Sequence, residues 1–425
     1  MANAPISATI FAYQVGFGDC FLLRFDYPKR RRHVLIDFGT TGLPKEVAST
    51  HLLTIAKDIR EKCGGKLDAV VATHRHADHI SGFATKKDGS GSGDVIRELL
   101  PDAVVQPWTE DLDLAIAARA PAQNGKQAFH AALHNMHEIS AHVVRLLNSK
   151  PKLLPAKTAA QLRFIGEDNL SNASAVNNLA SMGKARHYVY HGSKSGLEKI
   201  LPGVKTHVLG PPTLEQSEAI SRQKSRDAQE YWHFHLKNVT ATPSTTGSSE
   251  PAFANDVVAR GSKLPMTARW IANRIKQARG EQLLSLVRAL DKQMNNTSVI
   301  LLFETRTKKL LFPGDAQIEN WQYALSKPKI QKLLADVDVY KVGHHGSLNA
   351  TPRSMWDGFQ KKGKAKAENR MTSVLSTMEG KHGNEAARTE VPRATLIREL
   401  QTHTHFHSTH MLPSQTLYQE IHIPF

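Results

Sequence analysis

The stretch Thr73–Ile80, THRHADHI, decides the fold, because it places metal-ligating side chains directly after a short apolar segment. The preceding residues, LDAVVA, predict a buried strand. Imidazole nitrogens and carboxylate oxygens are the ligands that zinc and similar first-row cations prefer. In an extended loop His74 and His76 point to one side, and Asp78 and His79 can face a second cation. The alternative, a polar loop with chance histidines, does not explain this spacing after a strand.

The segments around this loop predict alternating strands and helices. Residues 7–38 carry three apolar runs separated by GFGD and PKRRR, which predicts a β-meander, and residues 51–63 carry apolar residues at helical spacing. Further along, TSVILLFET and LLFPGD predict a hairpin, and VDVYKVGHHGS predicts a strand that ends in two histidines. We therefore predict an α/β protein whose polar residues gather at strand ends.

Two stretches interrupt this pattern, at about 83–160 and 213–295. We predict that both are helical insertions within a single domain spanning residues 1–425. Histidines recur at helical spacing in the first stretch, and near the C-terminus they alternate, which predicts one face of a strand. Surface positions are the first expectation for both sets, and a second or adventitious metal site is the alternative. These histidines are His130, His134, His137, His403, His405 and His407.

The HxHxDH pattern resembles the hallmark of the metallo-β-lactamase superfamily. The other residues of the superfamily pattern occur in the expected order along the chain. Asp37 in HVLIDFG precedes the loop, and Asp315 in LLFPGD and His344 in YKVGHHGS, with His345 beside it, come after it. The resemblance implies a four-layer αββα sandwich with helical insertions, and a hydrolase. It also implies two divalent metal ions, with zinc expected first and manganese as the alternative. The ligands implied are His74, His76, Asp78, His79, Asp315 and His344.

More narrowly, the chain resembles the soluble hydrolase domain of the DNA-uptake channel protein ComEC and its free-standing relatives. The likeness rests on VGFGDCFLL, LIDFG, THRHADHISG, NNTSVILLF, LLFPGD and VYKVGHHGS, which frame Gly16 to Ser347. One departure concerns the first metal: Gly210 stands where the superfamily has a further histidine, and neither His191 nor His207 fits the pattern. The first metal would then have only His74, His76 and Asp315 from the protein.

The resemblance also implies roles for the residues around the metals. Asp315 would bridge the two ions, and Asp78 would ligate the second ion and take a proton from the attacking water. Asp37 would accept a hydrogen bond from a ligand histidine, and Asp19 would act similarly or only stabilise its turn. Lys341 would meet a phosphate oxygen, or would simply be solvated. His345 and Ser347 flank His344 and would support it.

The charge of the chain favours an anionic partner. Lys and Arg total 55 against 39 Asp and Glu, a formal net charge of +16, and nucleic acid leads the candidates for such a partner. Alternatively, the excess charge only aids solubility. Two basic clusters are candidates for tracking a phosphate backbone, although neither carries interleaved aromatics for base stacking. They are Lys29, Arg30, Arg31 and Arg32, and Lys361, Lys362, Lys364 and Lys366.

Cysteine usage and hydropathy favour a cytoplasmic protein. The chain has two cysteines, which implies no disulfide framework. The N-terminus lacks the pattern of a secretory signal, and we expect no membrane-spanning segment. Protein partners cannot be read from the sequence.

Three functions stay open at this point. The first is a metal-dependent phosphodiesterase, a nuclease acting on DNA. The second uses the same centre on a small ester, lactone, thioester or cyclic nucleotide, because a fold does not fix a substrate. The third is a degenerate, non-catalytic binding component of a multi-protein system, which the missing histidine at Gly210 motivates.

Overall fold

The computed structural model describes most of the chain on either side of two long gaps. No helix among the described residues is both long and apolar enough to cross a membrane. His130, His134 and His137, and most of the second predicted insertion, lie outside the described residues. The described residues are 4–111, 147, 149, 154, 158–159, 162, 173–213, 215–217, 294–347, 351–363, 369–383, 390–413 and 415–425.

Seven strands form the first sheet, in the order β13-β1-β2-β3-β4-β5-β6. Neighbouring strands from β13 to β3 are antiparallel, as the predicted meander requires, and those from β3 to β6 are parallel. Its strands are β1 Ser7–Tyr13, β2 Cys20–Tyr27, β3 Arg30–Phe38, β4 Ala69–Val71, β5 Ala103–Pro107, β6 Ala185–Val189 and β13 Tyr418–Pro424.

Six strands form the second sheet, in the order β12-β11-β10-β9-β8-β7. The strands from β12 to β9 are parallel, and β9, β8 and β7 are antiparallel, which includes the predicted hairpin. Its strands are β7 Lys205–Gly210, β8 Ile300–Glu304, β9 Lys309–Phe312, β10 Val339–Lys341, β11 Thr372–Leu375 and β12 His405–Ser408.

Helices connect the strands and cover the sheets. Four of them pack apolar residues on the first sheet, and four pack on the second. The α-helices of the described residues are His51–Lys62, Ala77–Ile80, Ser92–Glu98, Ala173–Ser181, Leu197–Ile200, Ile318–Leu325, Pro328–Ala335, Arg353–Gly358 and Ala394–His403.

Side chains alternate between two apolar clusters along each central strand. In β2, Phe21 and Phe25 join a cluster that also contains Phe303 of β8, whereas Leu22 packs against the helices of the first sheet. Fully burying one such side chain contributes about 1.5–3 kcal/mol relative to leaving it exposed. This two-sided burial explains why the strands read as continuous apolar runs, and it confirms the α/β class.

The first predicted insertion begins with elements of the main fold. The helix Ser92–Glu98 packs beside His51–Lys62 on the first sheet, and β5 pairs in parallel with β4. The chain up to Glu110 therefore belongs to the first sheet and its helices. The prediction of an insertion that starts near residue 83 is wrong at this end. The apolar periodicity of the sequence predicts this helix and this strand, but it carries no information on whether they pack with the first sheet.

The carboxyl ends of the parallel strands meet at one edge of the molecule. Just beyond β4, the carbonyl of Thr73 accepts a hydrogen bond from Val299 at the start of β8 (2.9 Å), which joins the two sheets. Beyond β9 and β10, the backbone N–H of His344 donates to Asp315 Oδ1 (2.9 Å). Ligand sites of α/β proteins form at such an edge, and the residues of THRHADHI lie there.

A buried histidine of β3 makes the stability depend on pH. His33 is 5% exposed, and burial lowers its pKa to about 4. The unfolded chain binds this proton below about pH 6.5, so the free energy of unfolding falls as the pH drops from 6.5 to 4, by up to about 2–3 kcal/mol from this group. His33→Phe removes the effect. Urea unfolding of both proteins at pH 7 and pH 4.5 measures it, and an equal pH dependence in both would contradict the assignment.

Candidate metal centre

Four buried side chains from both sheets converge at the shared edge. Asp78 and His79 lie in the short helix Ala77–Ile80 that follows β4, Asp315 follows β9, and His345 follows β10; their ligand atoms all lie within 4.8 Å of one another. Asp315 Oδ2 lies 3.1 Å from His79 Nε2 and 3.5 Å from His345 Nε2. Asp78 Oδ2 lies 2.9 Å from His345 Nε2. Two carboxylates and two imidazoles in this arrangement can hold one divalent cation.

A second group shares Asp78 with the first. His74, His76 and Asp78 are buried, with ligand atoms within 4.8 Å of one another, and His74 Nε2 lies 3.0 Å from His76 Nδ1. Burial lowers the pKa of His74 well below its ordinary value, and His79 and His76 lower it further. The imidazole of His74 is therefore neutral at pH 7 and offers a lone pair to a cation.

The charges and unpaired atoms of the site fit divalent cations. Asp78 Oδ1 is buried and has no hydrogen-bond partner among the described residues, a costly state for a carboxylate oxygen. Burial acts to lower the pKa of His79, but the charges of Asp315, Asp37 and Asp78 outweigh it and raise the pKa well above its ordinary value. A surplus of buried negative charge is thus the main electrostatic property of the site, and cations would balance it.

Asp37 fixes the orientation of His79. Its Oδ2 lies 2.7 Å from His79 Nδ1, and its two oxygens accept hydrogen bonds from the backbone N–H and hydroxyl of Thr73, both 2.7 Å. If Nδ1 carries the proton, Nε2 presents its lone pair to the cluster, as metal-ligating histidines commonly do. This is the arrangement that the predicted role of Asp37 requires. The part played by Thr73 was not foreseen, although it stands in the quoted loop.

Of the two histidines after β10, the structure places His345 in the ligand position that the sequence led us to expect for His344. His345 lies in the four-residue cluster, with its Nδ1 3.1 Å from the carbonyl oxygen of Ser376. His344 Nδ1 instead lies 2.7 Å from Ser347 Oγ, and His344 is in no metal-binding group of the described residues. The arrangement therefore favours His345 over His344 as the ligand. Both histidines have positive φ, 43° and 51°, and this turn directs the second one inward.

A histidine at Gly210, which the superfamily pattern leads one to expect, would require neighbouring side chains to move. A Cβ at this position would overlap Asn320 Oδ1 and would lie 2.9 Å from Ile300 Cδ1. His207 bonds Glu304 (2.9 Å) and His191 bonds the carbonyl of Leu209 (2.7 Å). Neither histidine belongs to a metal-binding group of the described residues, and His74 and His76 are grouped with Asp78 rather than with the expected Asp315.

Lys341 lies beneath the cluster rather than at its opening. It is 2% exposed, forms an ion pair with Asp19, and donates to the carbonyl of Gly314 (3.1 Å). Burial acts to lower its pKa, but Asp19 and Asp315 outweigh this and hold the pKa above its ordinary value. A contact between Lys341 and a substrate phosphate, as the sequence suggested, does not fit this position.

Two residues near the cluster were missed by sequence reasoning. The ring of Phe17 lies 4.3 Å from that of His345 and 3.9 Å from that of His382, centroid to centroid. Burial chiefly, and the charge of His345 next, lower the pKa of His382 to about 3. Phe17 is the second residue of the quoted GFGD, but no spacing around His382 indicated a place near the site.

The predicted basic clusters lie at the opposite edge of the sheets. Arg30 begins β3 and Asp37 lies seven residues later, which separates them by roughly 23 Å. Arg32 pairs with Asp68. Lys361 bonds Asp338 (2.7 Å), just before β10 begins. Lys364 and Lys366 lie outside the described residues.

The C-terminal histidines do not form the single strand face that alternation suggested. His403 ends the helix Ala394–His403, whereas His405 and His407 belong to β12. His405 pairs with Thr372 at the start of β11, away from the ends that carry the cluster. His407 Nδ1 bonds Gln419 (2.7 Å), so these histidines do not extend the metal centre.

Comparison with known proteins supports the class of protein that the geometry of the site indicates. Residues 13–88 match the family model of the metallo-beta-lactamase superfamily, a segment that contains β2 to β4 and the loop THRHADHI. No curated protein matches the chain. The family match and the buried His and Asp groups together indicate a metal-dependent hydrolase.

Proposed function

We propose that this chain is a metal-dependent phosphodiesterase that cleaves DNA. The observation that carries the hydrolase assignment is the convergence of Asp315 and His345 on the loop that holds Asp78 and His79. The net charge of +16 supports an anionic polymer as substrate. The likeness of six sequence segments to ComEC-type hydrolase domains supports DNA as that polymer.

The positions of the apolar clusters support a finer description of the fold. The three apolar clusters lie between the sheets and on the outer face of each, which supports a four-layer αββα sandwich formed by one domain. The shared edge of the two sheets would then be the floor of the active site.

Two cations would be held by the two groups that share Asp78. His74, His76 and Asp78 would hold one, and Asp78, His79, Asp315 and His345 the other. When bound, such cations lower the pKa of a water molecule and stabilise the negative charge that develops on the substrate.

The protein's own groups prepare this site. Burial acts to raise the pKa of Asp78, but His79 and His345 outweigh it and hold the pKa well below its usual range, so the carboxylate is ionised and ready to ligate. Asp37 holds His79 in one orientation, and the carbonyl of Ser376 does the same for His345. This preorganisation favours ligand binding without rearrangement.

A small-molecule ester or cyclic nucleotide is the second candidate substrate. Both basic clusters lie at the edge opposite the metal centre, with Lys361 and Arg32 engaged by Asp338 and Asp68. A DNA strand in the site could not contact those clusters locally. This location favours a small substrate, which needs no extended phosphate contacts.

Cleavage assays with Asp78→Ala test the proposal. We expect the wild-type protein to cut single-stranded, double-stranded or circular DNA with Mn²⁺ or Zn²⁺, and Asp78→Ala to lose this activity by on the order of a hundredfold or more, because both ligand groups lose a member. Asp102→Ala, which removes a half-buried partner of Lys66 and Lys184 away from the cluster, serves as the control.

An ester panel and a metal analysis discriminate between the three candidate functions. Turnover of an ester panel without DNA cleavage would favour the second candidate. Less than about half an equivalent of metal after reconstitution would favour the non-catalytic binding component, since a functional centre retains its ions.

A further inference from the structure

Lys341 is a buried cation at the end of β10 that the proposed chemistry does not use. Lysines are almost never fully buried unless they are paired. Its ammonium pairs with Asp19, donates to the carbonyl of Gly314 (3.1 Å), and lies 3.4 Å from Asp315 Oδ1. The side chain therefore joins the turn before β2 to the turn after β9.

The two oxygens of Asp315 have different surroundings. Oδ1 accepts from the ammonium of Lys341 (3.4 Å) and from the backbone N–H of His344 (2.9 Å). Oδ2 faces the ring nitrogens of His79 (3.1 Å) and His345 (3.5 Å). Because donors hold Oδ1, the carboxylate cannot rotate freely, and Oδ2 stays directed at the ligand cluster.

Asp19 is the counter-ion of the ammonium. Its carboxylate is fully buried, and its backbone N–H donates to the carbonyl of Asp78 (2.9 Å). Asp19, Asp37 and His79 form a third group whose ligand atoms lie within 4.8 Å of one another. In this group the positive charge beside Asp19 is already supplied by Lys341.

We propose that Lys341 is a positioning residue that orients Asp315 for metal binding, with Asp19 as its counter-ion. The proposal rests on the metal-dependent function proposed above. It replaces a substrate contact by an indirect role, since the ammonium acts through Asp315 Oδ1 and touches no reacting group.

Three variants and a spectroscopic probe test this role: Lys341→Met, Asp19→Asn, and the double variant, which leaves no unpaired buried charge. Co²⁺ affinity is measured by competition with a chelator, the Co²⁺ absorption spectrum reports ligand geometry, and thermal unfolding in EDTA reports stability without metal. We expect Lys341→Met and the double variant to bind Co²⁺ about 10–100-fold more weakly with altered spectra. Asp19→Asn should stay within about threefold of wild type, because Lys341 still holds Asp315.

The outcomes separate orientation from simple charge neutralisation. The double variant removes the pair together, so it stays folded even if Lys341→Met alone does not. Wild-type affinity and spectrum in the double variant would overturn the role of Lys341 while leaving the metal-dependent function intact. Absence of Co²⁺ binding in the wild-type protein would overturn both. Lys361→Met, which removes a lysine paired with Asp338 at the other edge, should change neither affinity nor spectrum.

Discussion

Asp315→Asn is expected to reduce hydrolytic activity by on the order of a thousandfold and to weaken metal binding strongly. The substitution removes the negative charge whose Oδ2 lies 3.1 Å from His79 Nε2 and 3.5 Å from His345 Nε2. An amide of the same shape can place its nitrogen toward these rings, where it repels a cation. The fold should survive, because the replacement keeps the side-chain volume.

The measurement is kcat/KM on the substrate found for the wild-type protein, together with metal content after dialysis. Asp338→Asn is the matched control: Asp338 is also a buried carboxylate that binds lysines, but it lies just before β10 rather than beyond its end. Equal losses in both variants would show that Asp315 acts through stability alone.

Gly39→Ala is expected to cost about 3 kcal/mol or more of unfolding free energy and to lower metal binding with it. Gly39 directly follows β3 and packs against the backbone of the metal loop. A Cβ there would lie 2.6 Å from the carbonyl oxygen of Ala77 and from the carbonyl carbons of Asp78 and His79. These atoms belong to the main chain and cannot rotate away, so the loop itself must shift.

Chemical denaturation and metal titration of the same preparation measure both effects. Gly358→Ala provides the comparison, because a Cβ at Gly358 meets nothing within 4 Å and it should be neutral or slightly stabilising. Unchanged stability in Gly39→Ala would mean that the loop after β4 has another packing available.

The sequence predicted the fold class and the loop of the site for a physical reason. HxHxDH after an apolar run combines strand periodicity with ligand chemistry, and both are visible in one dimension. Asp37 and Asp315, at the ends of strands, came from the resemblance to the superfamily pattern. This resemblance assigned the ligand to His344 rather than to His345, because the correct choice depends on two successive positive φ angles that no side-chain pattern encodes.

Lys341 and the basic clusters show a second limit of prediction from the sequence, which is the position of a charged side chain in the fold. A lysine near a strand end looks like a substrate contact until its burial beside Asp19 is known. The segment PKRRR does separate β2 from β3, as the predicted meander requires, although its three arginines lie within β3. Since Arg30 opens β3 and Asp37 lies near its end, strand direction alone already separates them.

The candidate ligands come from both sheets: Asp78 and His79 follow a strand of the first sheet, whereas Asp315 and His345 follow strands of the second. A cation shared by these four residues would tie the two sheets together at one end, as a cross-link does. Ions that bind only the folded chain raise its resistance to unfolding in proportion to the logarithm of their concentration. Copies of the protein that lose their ions would therefore be the first to open and to be degraded, so the cell's metal supply would set how much of this protein persists.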